Sequence, residues 1–235
     1  MLGTVLAAVL VVAGGLAFAA QRRTAPPPVS AFAERTRARG SLLRPGFAVL
    51  VGHNLAIGVY FGAMQVSVTA FAVEHGAPDA AAPLFAVSSC SGLLAGWLYG
   101  LRRWRAEPRV QLAVATAGLA LGSLLLFAAG SPLGLGLVMV LTGAAVPPIL
   151  VLFSVLAESA VHRAVLTQAF TWLNSASAAG TAGAAASSGW AVDASGAPGG
   201  FAAAATAAAA MAVLAGIRAR HGPKRQLARA EPTRS

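Results

Sequence analysis

The most constraining feature of this chain is where it carries no charge. Asp, Glu, Lys and Arg are absent from residues 1–21, 45–73, 80–101, 110–157, 164–192 and 194–217, runs of 21, 29, 22, 48, 29 and 24 residues. A helix crossing the ~30 Å hydrocarbon core of a bilayer needs roughly 20 mostly apolar residues. Every run is long enough to span, and the run of 48 is long enough for two. Gly130-Ser131-Pro132 near its middle is a turn signal that divides it into a helical hairpin. The expected crossings are 2–20, 46–73, 81–101, 110–129, 133–157, 164–192 and 199–217. The fold class is thus all-α integral membrane, with about seven transmembrane helices.

Composition agrees. Hydrophobic residues make up 57% of the 235 and charged residues 10%, where a soluble domain carries about 25% charged. The two weakest crossings differ in kind. Residues 164–192 hold Gln168, Asn174 and many Ser and Thr, whereas 199–217 are largely Ala, which also suits a soluble helix. Residues 1–20 have no basic leader and their arginines follow the apolar run, so they read as a crossing rather than a signal peptide, although Ala17-Phe18-Ala19-Ala20 mimics a cleavage site.

The net charge of +10 would ordinarily suggest nucleic acid, but its placement argues otherwise. All 17 basic residues fall in alternate connections: 22–44, 102–109, Arg163 and the segment from Arg218 onward. The intervening connections hold none, and contain Glu74, Asp79 and Asp193. The positive-inside rule puts the basic connections in the cytoplasm, the N-terminus outside and the C-terminus inside. Such arginines set topology and hold anionic headgroups, so the expected partner is the lipid bilayer and not nucleic acid. Sixteen Arg to one Lys, with abundant Ala, suggests a G+C-rich bacterial genome and hence the plasma membrane. Residues 21–45 read as a basic cytoplasmic linker, 46–217 as a six-helix bundle, and 218–235 as a basic, disordered tail.

Catalytic chemistry is scarce. No span holds paired carboxylates, and no Ser/His/Asp grouping has a recognisable spacing, so an enzyme is not expected. The single Cys90 excludes a disulfide framework, and nothing calls for a metal or cofactor. Gly134-Leu135-Gly136 sits in an apolar span with no Lys nearby and reads as packing. Polar residues within the spans carry more information, because hydrocarbon penalises them unless they face protein or water. Asn54, Gly58, Phe61 and Gln65 step by 4, 3 and 4 and share a helix face. That face suits either a solute cavity or hydrogen bonding between helices. His53 lies near the cytoplasmic end and reads as an interfacial histidine. Gln168, Thr171 and Ser175 share another face, as do Thr167, Thr171 and Asn174. Gly180, Ala184 and Ser188 repeat every four residues, a small-residue stripe for close helix approach. Pro147-Pro148 interrupts the fifth expected crossing, as a gating kink or a shape kink.

The turn Gly92-Leu93-Leu94-Ala95-Gly96-Trp97-Leu98-Tyr99-Gly100-Leu101-Arg102-Arg103-Trp104, a glycine-spaced helix end running into arginines, resembles the loop signature of major facilitator superfamily transporters in its second-half form. Leu166 to Asp193, followed by Gly196, resembles the eleventh helix of actinobacterial-type members. The 21–45 connection resembles their central cytoplasmic loop. Aligned this way, the first crossing corresponds to the sixth helix of such a transporter and the next six to its C-terminal half. The triplet from residue 46 starts in the cytoplasm and the triplet from 133 starts outside, as in an inverted three-plus-three repeat.

The resemblance implies transport of a small organic solute by alternating access, as a permease or efflux carrier. The implied path residues are Asn54, Phe61, Gln65, Gln168, Trp172 and Asn174, and the implied gating loop is Gly96, Gly100, Arg102 and Arg103. The sequence departs from the family at Gln65 and Gln168, where acidic residues are usual, so a proton-coupling role does not carry over. Five further helices of the family have no counterpart, which implies a late-started or truncated transporter, a partner supplying the complementary N-terminal half, or a homo-oligomer. The rival is a non-transporting membrane fragment or interaction subunit.

Overall fold

The computed structural model describes residues 9–10, 12–17 and 40–227, with side chains as far as Ala219. Six long helices follow one another: α1 (Pro45–Glu74), α2 (Ala81–Leu101), α3 (Pro108–Leu124), α4 (Pro132–Ala160), α5 (Leu166–Ser195) and α6 (Ala197–Leu227). Short 3-10 turns at Pro78–Ala80, Leu125–Ala128 and Arg163–Val165 join them, and no strand occurs among the described residues. The expected first crossing, 1–20, and the linker 21–45 fall largely outside the described residues; 9–10 and 12–17 are helical. The tail expected to be irregular from Arg218 instead continues α6 to Leu227, and residues beyond it lie outside the described part.

Proline sets the helix starts. α1, α3 and α4 each open on Pro45, Pro108 and Pro132, where the missing N–H is one of the donors a helix leaves unpaired anyway. Ser131 caps α4, its hydroxyl accepting from the Gly134 N–H at 3.1 Å. The α5–α6 corner needs glycine twice over. Gly196 has φ +71°, and a Cβ there would meet the Glu74 carboxylate at 2.9 Å. That carboxylate accepts the Ala197 N–H at 2.8 Å, tying the end of α1 to the start of α6.

Inward positions recur at alternating steps of three and four. On α1 they are Leu50, His53, Ile57, Tyr60, Met64, Ser67 and Phe71; on α3 Leu112, Thr116, Leu119 and Ser123; on α6 Ala197, Phe201, Ala204, Ala208, Met211 and Ala215. This is the seam spacing of helices crossing at shallow angles. α1 is central: 56% of its spanning window is buried, against 11% for the span containing α2. Ser67, Thr116 and Ser123 turn their buried hydroxyls back on their own helices, to Ala63 O (2.6 Å), Leu112 O (2.7 Å) and Leu119 O (2.7 Å). Ser123 on α3 and Thr142 on α4 also hydrogen-bond the buried Tyr60 hydroxyl of α1.

The outer surface is apolar. Leu93, Leu133, Leu137, Val114, Leu121 and Trp190 are each more than 60% exposed. A water-soluble monomer does not display apolar area on this scale. Among the described residues, five helical spans, Pro45–Glu74, Pro78–Leu101, Pro108–Ala128, Pro132–Ala160 and Ala197–Ala219, are long and apolar enough to cross a bilayer. A multi-pass membrane protein accounts for both observations. The Ala-rich last helix is among the five, whereas α5 is too polar to be counted by composition.

Candidate functional site

Two close-packed seams organise the bundle. In the first, α1 and α5 run parallel with their backbones in contact. A Cβ added at Gly58 would strike the Ser177 backbone, one at Gly62 the Thr181 carbonyl, and one at Gly180 the Leu55 carbonyl. Thr181 Oγ1 donates across the seam to Gly58 O at 3.1 Å and along its own helix to Ser177 O at 3.0 Å. The small-residue stripe of α5 is the surface used: Gly180, Ala184 and Ser188 are all buried. Gly58 therefore belongs to the seam. It does not stand open beside Phe61 as a cavity wall. The Gly58-x-x-x-Gly62 spacing was the available sequence signal for this contact.

In the second seam, α2 lies on α4. The Pro147 ring sits over Gly92 and Gly96, with its Cγ 3.5 Å from a Cβ placed at the first and its Cβ 3.2 Å from one placed at the second. Opposite them, a Cβ at Gly143 would approach Ser88 O and Oγ at 2.6 Å. The glycines of the turn signature thus make room for a proline on the facing helix. α4 stays helical through Pro147 and Pro148.

The contacts between Gly58 and Ser177 and between Gly62 and Thr181 fix the α1–α5 register, and hence the levels of the expected path residues. Asn54 and Asn174 lie at one level. Gln65 and Gln168 do not: sixteen residues of offset in that register put them about 24 Å apart along the axis. At ~100° per residue, Asn174 flanks the seam, whereas Gln168 and Trp172 project from the side of α5 turned away from α1. Gln65, Gln168, Trp172 and Asn174 are exposed, and Asn54 and Phe61 are half-buried. The Asn54 amide donates to Leu50 O at 3.0 Å, within its own helix. The structure therefore groups Asn54, Phe61, Gln65 and Asn174 beside the seam and sets Gln168 and Trp172 apart.

Phe61 borders a cavity of about 550 Å3 with Gly92, Gly96, Trp97, Gly143 and Pro147, where α1 meets the α2–α4 seam. Of the expected gating residues, Gly96 is half-buried under Pro147, whereas Gly100, Arg102 and Arg103 are exposed. The Arg102 guanidinium stacks over Trp104, 4.8 Å from the ring centre. His53 packs inside the bundle. It is fully buried, edge-on to Phe153 at 5.5 Å, its Nδ1 donating to Val49 O at 2.7 Å. No three of His, Cys, Asp and Glu converge among the described residues, so no metal centre is assembled there.

Basic residues are segregated to one end of the bundle, where Glu107 and Glu158 also lie. Arg44, Arg102, Arg103, Arg105, Arg109, Arg163 and Arg218 cap that end, where Arg218 donates to Gly46 O at 3.1 Å. Glu74, Asp79 and Asp193 cap the other. No family model matches the chain, and neither a curated protein nor a solved structure matches it.

Proposed function

We propose that the chain is a solute-translocating membrane protein of the major facilitator type, acting as the second half of a transporter whose other half is a separate body. The observation that carries this reading is the pairing of helices. α1 packs on α5 and α4 on α2; α1 packs on α6 and α4 on α3; α1 also meets α4, and α3 meets α6. Exchanging α1–α3 with α4–α6 maps every one of these pairs onto another or onto itself; the α5–α6 pair breaks the pattern, because α2 and α3 do not pack on each other. Inverted three-plus-three repeats generate this pattern. The basic end is then the cytoplasmic one.

In this reading the path runs beside the α1–α5 seam, with Asn54, Phe61, Gln65 and Asn174 facing solute. Gln168 and Trp172, exposed on the far side of α5, face the partner half. Alternating access rocks one half against the other, so the solute site closes only when both are present.

The first test is the intact mass and composition of the native protein extracted from its host membrane. A complementary half, joined or co-purifying, is expected; a lone 23.4 kDa species with no such partner overturns the reading. The second test is uptake or efflux of small organic solutes by the assembled protein. Gln65→Ala and Asn174→Ala are expected to lower transport at least threefold at unchanged membrane abundance. Unchanged transport in both removes them from the path.

A further inference from the structure

α2 and α3 are neighbours in sequence, yet each packs on α4 rather than on the other. The corresponding later pair, α5 and α6, does pack together. Between α2 and α3, at the basic end, this leaves a cleft of about 490 Å3 floored by α4. Leu98 lines it on α2, Val114 and Ala115 on α3, and Pro148 and Leu152 on α4, so its walls are hydrocarbon.

The mouth is of different chemistry. Tyr99 OH donates to Gln111 Oε1 at 2.6 Å, and Gln111 Nε2 donates to Ala106 O at 2.6 Å. The Trp104 Nε1–H donates to Tyr99 O at 3.1 Å, and the two rings lie 5.0 Å apart. Together they hold the 102–107 turn over the cleft with Arg102 stacked on Trp104. Tyr and Trp with their polar edges bonded are the residues of the headgroup level. Arg102, Arg103, Arg105 and Arg109 against Glu107 leave this connection at +3.

We propose that the α2–α3 cleft is a binding site for one anionic phospholipid. One acyl chain lies in the slot between Leu98 and Val114, and the phosphodiester meets Arg102 and Arg103. The slot suits a chain and not a soluble solute, because it is apolar along its length and opens on the outer surface of the bundle between the exposed Leu98 and Val114. The charge selects an anionic over a zwitterionic headgroup, by about fivefold for each arginine engaged. The inference rests on the chain lying in a bilayer, and is independent of whether it transports anything.

The test uses the full chain in nanodiscs of phosphatidylcholine with a minor share of phosphatidylglycerol carrying a photoactivatable diazirine on its acyl chain. Cross-links are expected to concentrate in peptides 95–115 and 145–152, and unlabelled phosphatidylglycerol is expected to compete several-fold better than phosphatidylcholine. In native mass spectra, Arg102→Gln with Arg103→Gln is expected to lower phosphatidylglycerol retention five- to twenty-five-fold. Arg44→Gln with Arg163→Gln, removing the same charge from the same end, is expected to leave it unchanged. Ala115→Phe fills the slot while keeping every arginine, and is expected to abolish the cross-link. Cross-links spread evenly over the lipid-facing helices overturn the site. So does equal loss from both arginine pairs, which would mean diffuse surface attraction. Displacement by soluble glycerol phosphate also overturns it, because the headgroup alone would then suffice.

Discussion

The two seams reach the same end by different means. Between α1 and α5, glycines on both helices bring backbone onto backbone, and Thr181 bonds across the gap. Between α2 and α4, Gly92 and Gly96 accommodate the Pro147 ring of the facing helix, and the closest backbone approach is that of Gly143 to Ser88 O. The difference follows from what each helix does with its remaining surface. α2 is hardly buried and, despite Ser88, Ser89 and Ser91, apolar enough over its length to span, so lipid itself can solvate most of its surface. α5, with its serines, threonines and amides, is too polar to be counted as a span by composition. Close packing on α1 supplies what hydropathy does not: extensive van der Waals contact and a hydrogen bond shielded from lipid. The tighter seam belongs to the helix that needs it more.

If so, one added methyl should act unequally on the two seams. At Gly62 it would meet the Thr181 backbone, which cannot move without displacing all of α5. Overpacking of this kind costs about 1–3 kcal/mol. We expect Gly62→Ala to destabilise the bundle by about 2 kcal/mol in reversible unfolding from lipid bicelles, with α5 becoming protease-sensitive first. At Gly96 the methyl meets the Pro147 ring at 3.2 Å, a shift of a few tenths of an ångström. Alanine also gains about 1 kcal/mol of helix propensity over glycine. Gly96→Ala is therefore expected to lie near zero. Equal losses at both positions would abolish the distinction between the seams.

Gly143→Ala sharpens the comparison from within the second seam. Its Cβ would stand 2.6 Å from Ser88 O and Oγ and 2.7 Å from Ser91 Oγ. The hydroxyls can rotate away, but the Ser88 carbonyl cannot. We expect a loss of about 1 kcal/mol, between the other two. Replacing Ser88 and Ser91 by Ala in the same chain is expected to recover part of it, as neighbouring sites couple. The absence of any recovery would mean that the carbonyl alone sets the cost.

The sequence made the helix ends legible because charge and proline mark them: α1 was expected at 46–73 and runs Pro45–Glu74, and α4 was expected at 133–157 and runs Pro132–Ala160. It was silent on which faces turn inward. In water, hydropathy separates core from surface, but here Leu93 and Trp97 face outward while Ala204, Ala208 and Gly180 face inward. Residue size carries the inward pattern, so the stripe Gly180, Ala184 and Ser188 was readable, and so was Gly58 through its spacing from Gly62, although the polar residues around it pointed to a cavity instead. The polar steps of α5 put Gln168 and Asn174 on different faces, and only the α1–α5 register shows that Asn174 is the one beside the seam. The α2–α3 cleft left no local signature. It exists because two consecutive helices choose α4 over each other, and only the tertiary pairing records that choice.

The smallest loss expected at the first seam concerns the bond across it. Thr181 Oγ1 has two acceptors, Gly58 O at 3.1 Å and Ser177 O at 3.0 Å, and one proton to give. Removing it leaves both carbonyls with their helical N–H partners, so neither is stranded in hydrocarbon. Thr181→Val keeps the shape and the branching and deletes only the hydroxyl. Interhelical bonds in membranes average about 0.6 kcal/mol, and sharing with Ser177 lowers the part that belongs to the seam. We expect a loss of about 0.5 kcal/mol in the same unfolding measurement, a quarter of that at Gly62. A loss as large as that of Gly62→Ala would make the hydrogen bond, and not backbone proximity, the reason α5 stays on α1.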